Sequence, residues 1–330
     1  MPLGATLAEW FCPNARIGEM SESLQSTEAW RGALAEFLAT FFFVYLGCGG
    51  VVASGAVEDE KLDAERLLTI AFAHGIAIVI LVASTGAISG GHINPAVTLS
   101  IVLAGKVNLL RGIMYWVMQF LGAVCGAQVL KFVTPPAWQG NLGSHGLAQG
   151  VDGFAGLVME IVLTFVLVFV VFATAVDTRG PVATAPLAIG FTVLVLHIVG
   201  VPYTGASMNP ARSFGPAMVT GTWKAHWVYW FGPLIGATLA FWVYMGIFIH
   251  SGPLIGGALA SWVYARVFVP MGSALNPMEV MNLSPRQQPQ FNRVPVDDVG
   301  IVGIEAATMS PQKSMQFQRL RNEDGETSLQ

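Results

Sequence analysis

The sequence predicts an all-α membrane protein: six transmembrane helices plus two re-entrant half-helices, arranged as an inverted repeat. An extra duplicated hydrophobic segment follows the sixth span. Three observations carry this expectation. Hydrophobic residues make up 54% of the 330-residue chain and charged residues only 11%, against roughly 25% charge in a soluble domain. Six apolar runs are long enough to approach the roughly 20 residues that cross a hydrocarbon core. Motifs of the first half recur, in the same order, in the second.

Composition also excludes function classes. The mean hydropathy of +0.60 leaves too little polar surface for a soluble enzyme or a disordered chain. A net charge of −4 provides no broad basic face for nucleic acid. The three cysteines, Cys12, Cys48 and Cys125, form neither a disulfide framework nor a metal set. No metal and no cofactor is expected.

Residues 1–29 are polar and mixed, without the basic start and apolar core of a cleaved signal peptide, and read as a cytosolic N-terminal segment. The predicted spans are Gly32–Gly55, Leu67–Ile88, Leu109–Val133, Phe154–Val176, Thr184–Val201 and Trp227–Ile249, so that residues 30–250 form the membrane bundle. With the N-terminus in the cytosol, inside segments hold 11 Lys and Arg and outside segments 5, which sets that orientation. Residues 251–270 read as a peripheral helix and 271–330 as a disordered cytosolic tail.

The internal repeat is specific. Glu36-Phe-Leu-Ala-Thr40-Phe41 in span 1 matches Glu160-Ile-Val-Leu-Thr164-Phe165 in span 4. Asn94-Pro95-Ala96 after span 2 matches Asn209-Pro210-Ala211 after span 5. Tyr115-Trp116 in span 3 matches Tyr229-Trp230 in span 6, and the gap from Asn to Tyr is 21 residues in one half and 20 in the other. Three spans per half insert the second copy upside down, the plan of many transport proteins, with a shared site near the bilayer midplane.

Asn is a good N-cap and Pro fits the first helical turn, so each Asn-Pro-Ala reads as a helix start. One copy alone would be an ordinary capped helix. Two copies at equivalent places, each followed by an apolar stretch too short to span, read as half-helices that dip in from opposite faces. Irregular backbone at that depth needs protein or a water-filled pore around it. Glu36 and Glu160, symmetric and buried in apolar runs, are expected to accept hydrogen bonds from backbone N–H groups of the re-entrant loops rather than to relay protons.

His92-Ile-Asn94-Pro95-Ala96-Val97-Thr98 and Gly205-Ala206-Ser207-Met208-Asn209-Pro210-Ala211-Arg212-Ser213-Phe214-Gly215-Pro216 resemble the signatures of the aquaporin, or major intrinsic protein, family. The resemblance covers residues 30–250. It implies a right-handed six-helix bundle in the lipid bilayer, one pore per subunit, a homotetramer, and passive flow of water or small neutral solutes. It places the pore motif at Asn94, Pro95, Ala96, Asn209, Pro210 and Ala211, and the narrow filter at His74, His197, Ala206 and Arg212. Two imidazoles beside an arginine make a polar constriction that suits water. Glycerol needs a wider slot, and the family's glycerol channels resemble one another in carrying Asp where this chain has Ser213.

The subfamily signals are mixed, within a plant or algal type. His74, Ser144-His145-Gly146-Leu147 and Ala173-Thr174-Ala175-Val176-Asp177 look like tonoplast aquaporins, whereas His197 looks like plasma-membrane water channels. The four filter residues together resemble the hybrid intrinsic proteins of lower plants. Residence in the vacuolar or plasma membrane is expected. In the tonoplast branch the histidine before span 4 lies near the filter arginine, so His145 is a possible filter neighbour and ammonia a second substrate. The apolar residues Ile78, Val97 and Val193 are expected on the pore wall. A coupled secondary transporter is the rival class, and its coupling site would have to be Glu36, Glu160 or Arg212. No nucleophile–base cluster suggests an enzyme.

Overall fold

The protein is described by a computed structural model over residues 26–55 and 62–250. The expectations for the N-terminal segment before residue 26, the acidic loop around residue 59, the duplicated segment after residue 250 and the tail lie outside the described residues. Among the described residues six helices are long and apolar enough to cross a membrane, so the chain is an integral, multi-pass membrane protein. In chain order the helices are α1 (Thr27–Ala53), α2 (Ala64–Ser89), α3 (Pro95–Leu103), α4 (Leu109–Val133), α5 (Gly153–Val171), α6 (Ala185–Thr204), α7 (Pro210–Thr220) and α8 (Val228–Val243). Short polar side chains start four of the long ones. Ser26, Asp63, Asn108 and Asp152 each accept a backbone N–H of the first turn, which satisfies donors that a helix leaves open.

Packing follows the repeat. α1 pairs with α4, α5 with α8 and α2 with α6, and each half-helix lies against the third long helix of the other half, α7 on α4 and α3 on α8. Glycine makes these approaches possible. A Cβ on Gly122 or Gly126 of α4 would press on the carbonyls of Phe37 and Phe41 in α1, and one on Gly236 of α8 would press on the carbonyl of Ile161 in α5. The outer faces stay apolar. Leu34, Leu38, Phe42 and Leu46, four residues apart on α1, are all exposed, as a lipid-facing stripe requires.

Three of the predicted spans end differently in the structure. The fourth span does not run as an α-helix to Val176: after Val171 it continues as a π turn, Phe172–Val176. The sixth likewise passes into a π segment, Tyr244–His250. The fifth extends past Val201 to Thr204, through Pro202.

Candidate pore and filter

Each Asn-Pro-Ala opens a half-helix. Asn94 Oδ1 accepts from Ala96 N at 2.8 Å. Asn209 Oδ1 accepts from Ala211 N at 3.0 Å and Arg212 N at 3.2 Å. The residue before each Asn is held in the left-handed region, Ile93 at φ 59° and Met208 at φ 53°, a strained conformation for side-chain-bearing residues and most of all for a β-branched one. The strain turns both carbonyls toward the opposite loop. Asn209 Nδ2 donates to Ile93 O at 2.9 Å and Asn94 Nδ2 to Met208 O at 2.7 Å. The two half-helix N-termini are thereby tied together by a reciprocal pair of bonds.

Two buried carboxylates hold these loops. Glu36 accepts from His92 N at 2.9 Å, Ile93 N at 2.6 Å, Ser89 Oγ at 2.6 Å and Gln119 Nε2 at 2.8 Å. Glu160 accepts from Ser207 N at 2.9 Å, Met208 N at 2.8 Å and Thr204 Oγ1 at 2.6 Å. The repeated tyrosines serve the same end. Tyr115 Oη donates to Ser89 O and Tyr229 Oη to Thr204 O. Gln119 has no polar counterpart, because the equivalent position in α8 is Pro233.

His74, His197, Ala206 and Arg212 converge. Arg212, 2% exposed, donates from Nε to His74 Nε2 at 3.2 Å and from Nη1 to Gly143 O at 2.7 Å. Guanidinium can only donate, so His74 Nε2 carries a lone pair and the ring is neutral, with Nδ1 donating to Ile70 O at 2.8 Å. Gly47 leaves room for this ring, since a Cβ there would lie 2.6 Å from Nε2. The His197 ring stacks on His74 at 4.3 Å. Its Nδ1 donates to Val193 O, which leaves Nε2 as an acceptor with no partner among the described residues. Ala206 is buried at φ 58° beside Gly200.

His145 lies against the residue next to the arginine: its Nδ1 meets Ser213 Oγ at 2.8 Å, and Ser213 in turn bonds Ser207. Burial, then the neighbouring Arg212, holds the His145 imidazole well below its ordinary value, so it is neutral. Gly143 and Ser213 were not singled out in the sequence as filter supports. A carbonyl acceptor leaves no side-chain signal, and a serine in a helix start is commonplace.

A cavity of about 420 Å³ reaches from His197 past Asn94 and Asn209 to Lys106 and Arg111. Ile78, Val97 and Val193 line it, as do Phe43 and Leu167. Cys48 and Cys125 do not. Among the described residues no His, Cys, Asp or Glu cluster could hold a metal.

The model of the major intrinsic protein family matches residues 23–244. The chain belongs to this family. Among curated members, aquaporin TIP2-1 of Arabidopsis thaliana is 44% identical over 240 residues, covering 71% of this chain and 94% of that one. Mouse (Mus musculus) aquaporin-4 is 44% identical over 251 residues, 74% of this chain and 77% of its own. The X-ray structure of the aquaglyceroporin from Plasmodium falciparum superposes with a TM-score of 0.60 at 21% identity, covering 67% of this chain and 97% of that chain. That likeness shows that the six-helix, two-half-helix arrangement is the fold of the major intrinsic proteins.

Proposed function

We propose that the protein is a passive, proton- and ion-excluding water channel, and neither an enzyme nor a coupled transporter. The observation that carries this reading is the Asn94–Asn209 pair. Each carboxamide nitrogen has two N–H donors. One is committed to the opposite loop, and the other has no acceptor among the described residues, while both side chains line one cavity. A water oxygen held there by two donors must point its hydrogens away from the midplane. The N-termini of α3 and α7 add partial positive charge at the same point, which raises a barrier to protons and cations.

The filter supplies the second half of the argument. Arg212 keeps three of its five N–H donors without a protein acceptor among the described residues, and His197 Nε2 is an acceptor beside it. A donor and an acceptor across a narrow polar ring replace water's own hydrogen bonds. The apolar wall of Ile78, Val97 and Val193 leaves passing molecules a single file. The three candidate coupling residues of a transporter are all engaged: Glu36 and Glu160 in loop support, Arg212 in the filter. Relatives named aquaporins at 44% identity support the same reading. A homotetramer in the vacuolar or plasma membrane with the N-terminus in the cytosol completes it.

Stopped-flow swelling of proteoliposomes tests it, with water, glycerol and ammonia as separate arms. Fast water flux with a low activation energy, slow glycerol flux and no dependence on an ion gradient are expected. Ammonia flux equal to water flux would favour the ammonia reading, for which His145 beside Ser213 is the supporting feature. Flux that requires a gradient would sink the channel.

A further inference from the structure

The end of α5 departs from the symmetry of the repeat. Its counterpart α1 finishes with an ordinary i→i+4 bond, Ser54 N to Gly50 O at 3.0 Å. α5 instead widens into the π turn Phe172–Val176, closed by Asp177 N donating to Phe172 O at 2.9 Å. A π turn holds an extra residue and is rare outside functional segments, so something must stabilise it here. The partner is the end of the last helix. Tyr244 packs its ring on Phe172 at 5.8 Å and on Phe169 at 5.3 Å, and its Oη donates to Asp177 Oδ2 at 2.9 Å. The same carboxylate accepts from Arg179 N at 3.0 Å, Nε at 2.9 Å and Nη2 at 2.6 Å. Arg179 Nη2 reaches on to Phe248 O at 3.2 Å. The last two residues of the π turn, Ala175 and Val176, line the cavity at the end where Lys106 and Arg111 also stand.

We propose that Tyr244 and Asp177 are positioning residues for the pore mouth at Lys106 and Arg111: through this clasp the end of α8 fixes the π turn in register and so sets which side chains line that mouth. The inference rests on the channel reading above. If the turn relaxed to an α-helix, its last residues and those beyond it would rotate by up to about 100°, one residue's step at 3.6 per turn. Ala175 and Val176 would then leave the wall.

The test uses the full-length chain with Cys12→Ser and Cys125→Ser as parent and Ala175→Cys or Val176→Cys as reporters. The rate of modification by a membrane-impermeant methanethiosulfonate, applied from the side on which Lys106 and Arg111 stand, is read together with water flux. Tyr244→Phe removes one oxygen and keeps the ring, and Asp177→Asn keeps the shape of the side chain. Each is expected to change the reporters' modification rates and the flux by about fivefold, with the double variant no worse than the single ones, as for groups in one hydrogen-bond network. A monodisperse elution profile equal to the parent's separates this from misfolding. Rates and flux within about twofold of the parent, or fully additive effects, would overturn the clasp. A parent that conducts no water would overturn the channel reading instead, while the modification rates still decide the clasp.

Discussion

Arg212 has two anchors, the His74 lone pair and the Gly143 carbonyl, and they give the two filter histidines different work. His74 is fully used in holding the guanidinium, whereas His197 lines the cavity and its Nε2 has no partner among the described residues. Arg212→Val should therefore open the constriction and remove a fixed positive charge together. Glycerol uptake and proton leak are both expected to rise in a variant that still conducts water; an active variant with neither change would place the filter elsewhere. Mercurials should inhibit weakly, since Cys48 is buried away from the cavity and Cys125 is exposed outside it. Ala206→Cys should confer sensitivity, and strong inhibition of a chain lacking Cys48 and Cys125 would contradict that placement. His145 and His226 are both held below their usual value, by burial first. Such groups bind a proton more readily in the unfolded chain, so the unfolded chain takes up more protons as pH falls through about 6.5 and stability declines. Thermal unfolding in detergent should show a lower midpoint at pH 5 than at pH 7, and the difference should shrink in His145→Gln.

The strained loops that carry the two asparagines are held by helices, and the carboxylates of α1 and α5 are the point of control. In Glu160→Gln an amide N–H would face either Met208 N or the Ser207 and Thr204 donors. A buried donor set against a donor costs about 1–3 kcal/mol. The expected result is a lowered unfolding midpoint, with a larger drop for Glu36→Gln, whose carboxylate serves Gln119 as well; equal midpoints for both variants and the parent would show that the loops hold themselves. These elements were largely legible in the sequence. Apolar runs fixed the spans to within a few residues, Asn-Pro-Ala fixed both half-helix starts, and the matched Glu and Tyr positions marked the residues that brace them. The reciprocal bonds between Asn94 and Met208 and between Asn209 and Ile93 were not legible, because they join residues more than 100 positions apart. The π turns were not legible either, since the pattern of apolar residues there fits an α-helix as well. The contact that holds the first of them in our proposal, Tyr244 on Asp177, joins residues 67 positions apart.

The whole bundle is closed by α8, and the chain encodes the sequence of that helix twice. Gly232–Tyr244 recurs as Gly252–Tyr264, and over the 20-residue units 11 positions are identical. In the first copy the buried positions are Gly232, Pro233, Gly236, Ala237, Ala240, Phe241 and Tyr244. Five of these seven recur unchanged, as Gly252, Pro253, Gly256, Ala260 and Tyr264, while Phe241 is replaced by Ser261. The first copy also follows directly on Tyr229, whose hydroxyl braces Thr204; the residue 20 places later is Ile249. The packing thus selects the first copy. Deleting Gly252–Met271 should leave water flux largely intact, and complete loss of flux in a correctly inserted protein would reverse the choice. Deleting Gly232–Ser251 joins Phe231 to the second copy and keeps Tyr229 in place. That chain should still fold, but with a hole where Phe241 met Phe172. Losing a buried aromatic ring costs about 3–5 kcal/mol, so its unfolding midpoint should fall well below the parent's. Restoring the ring with Ser261→Phe in the shortened chain should recover most of the loss; a shortened chain as stable as the parent before that change would show that the last helix is not held by its buried face.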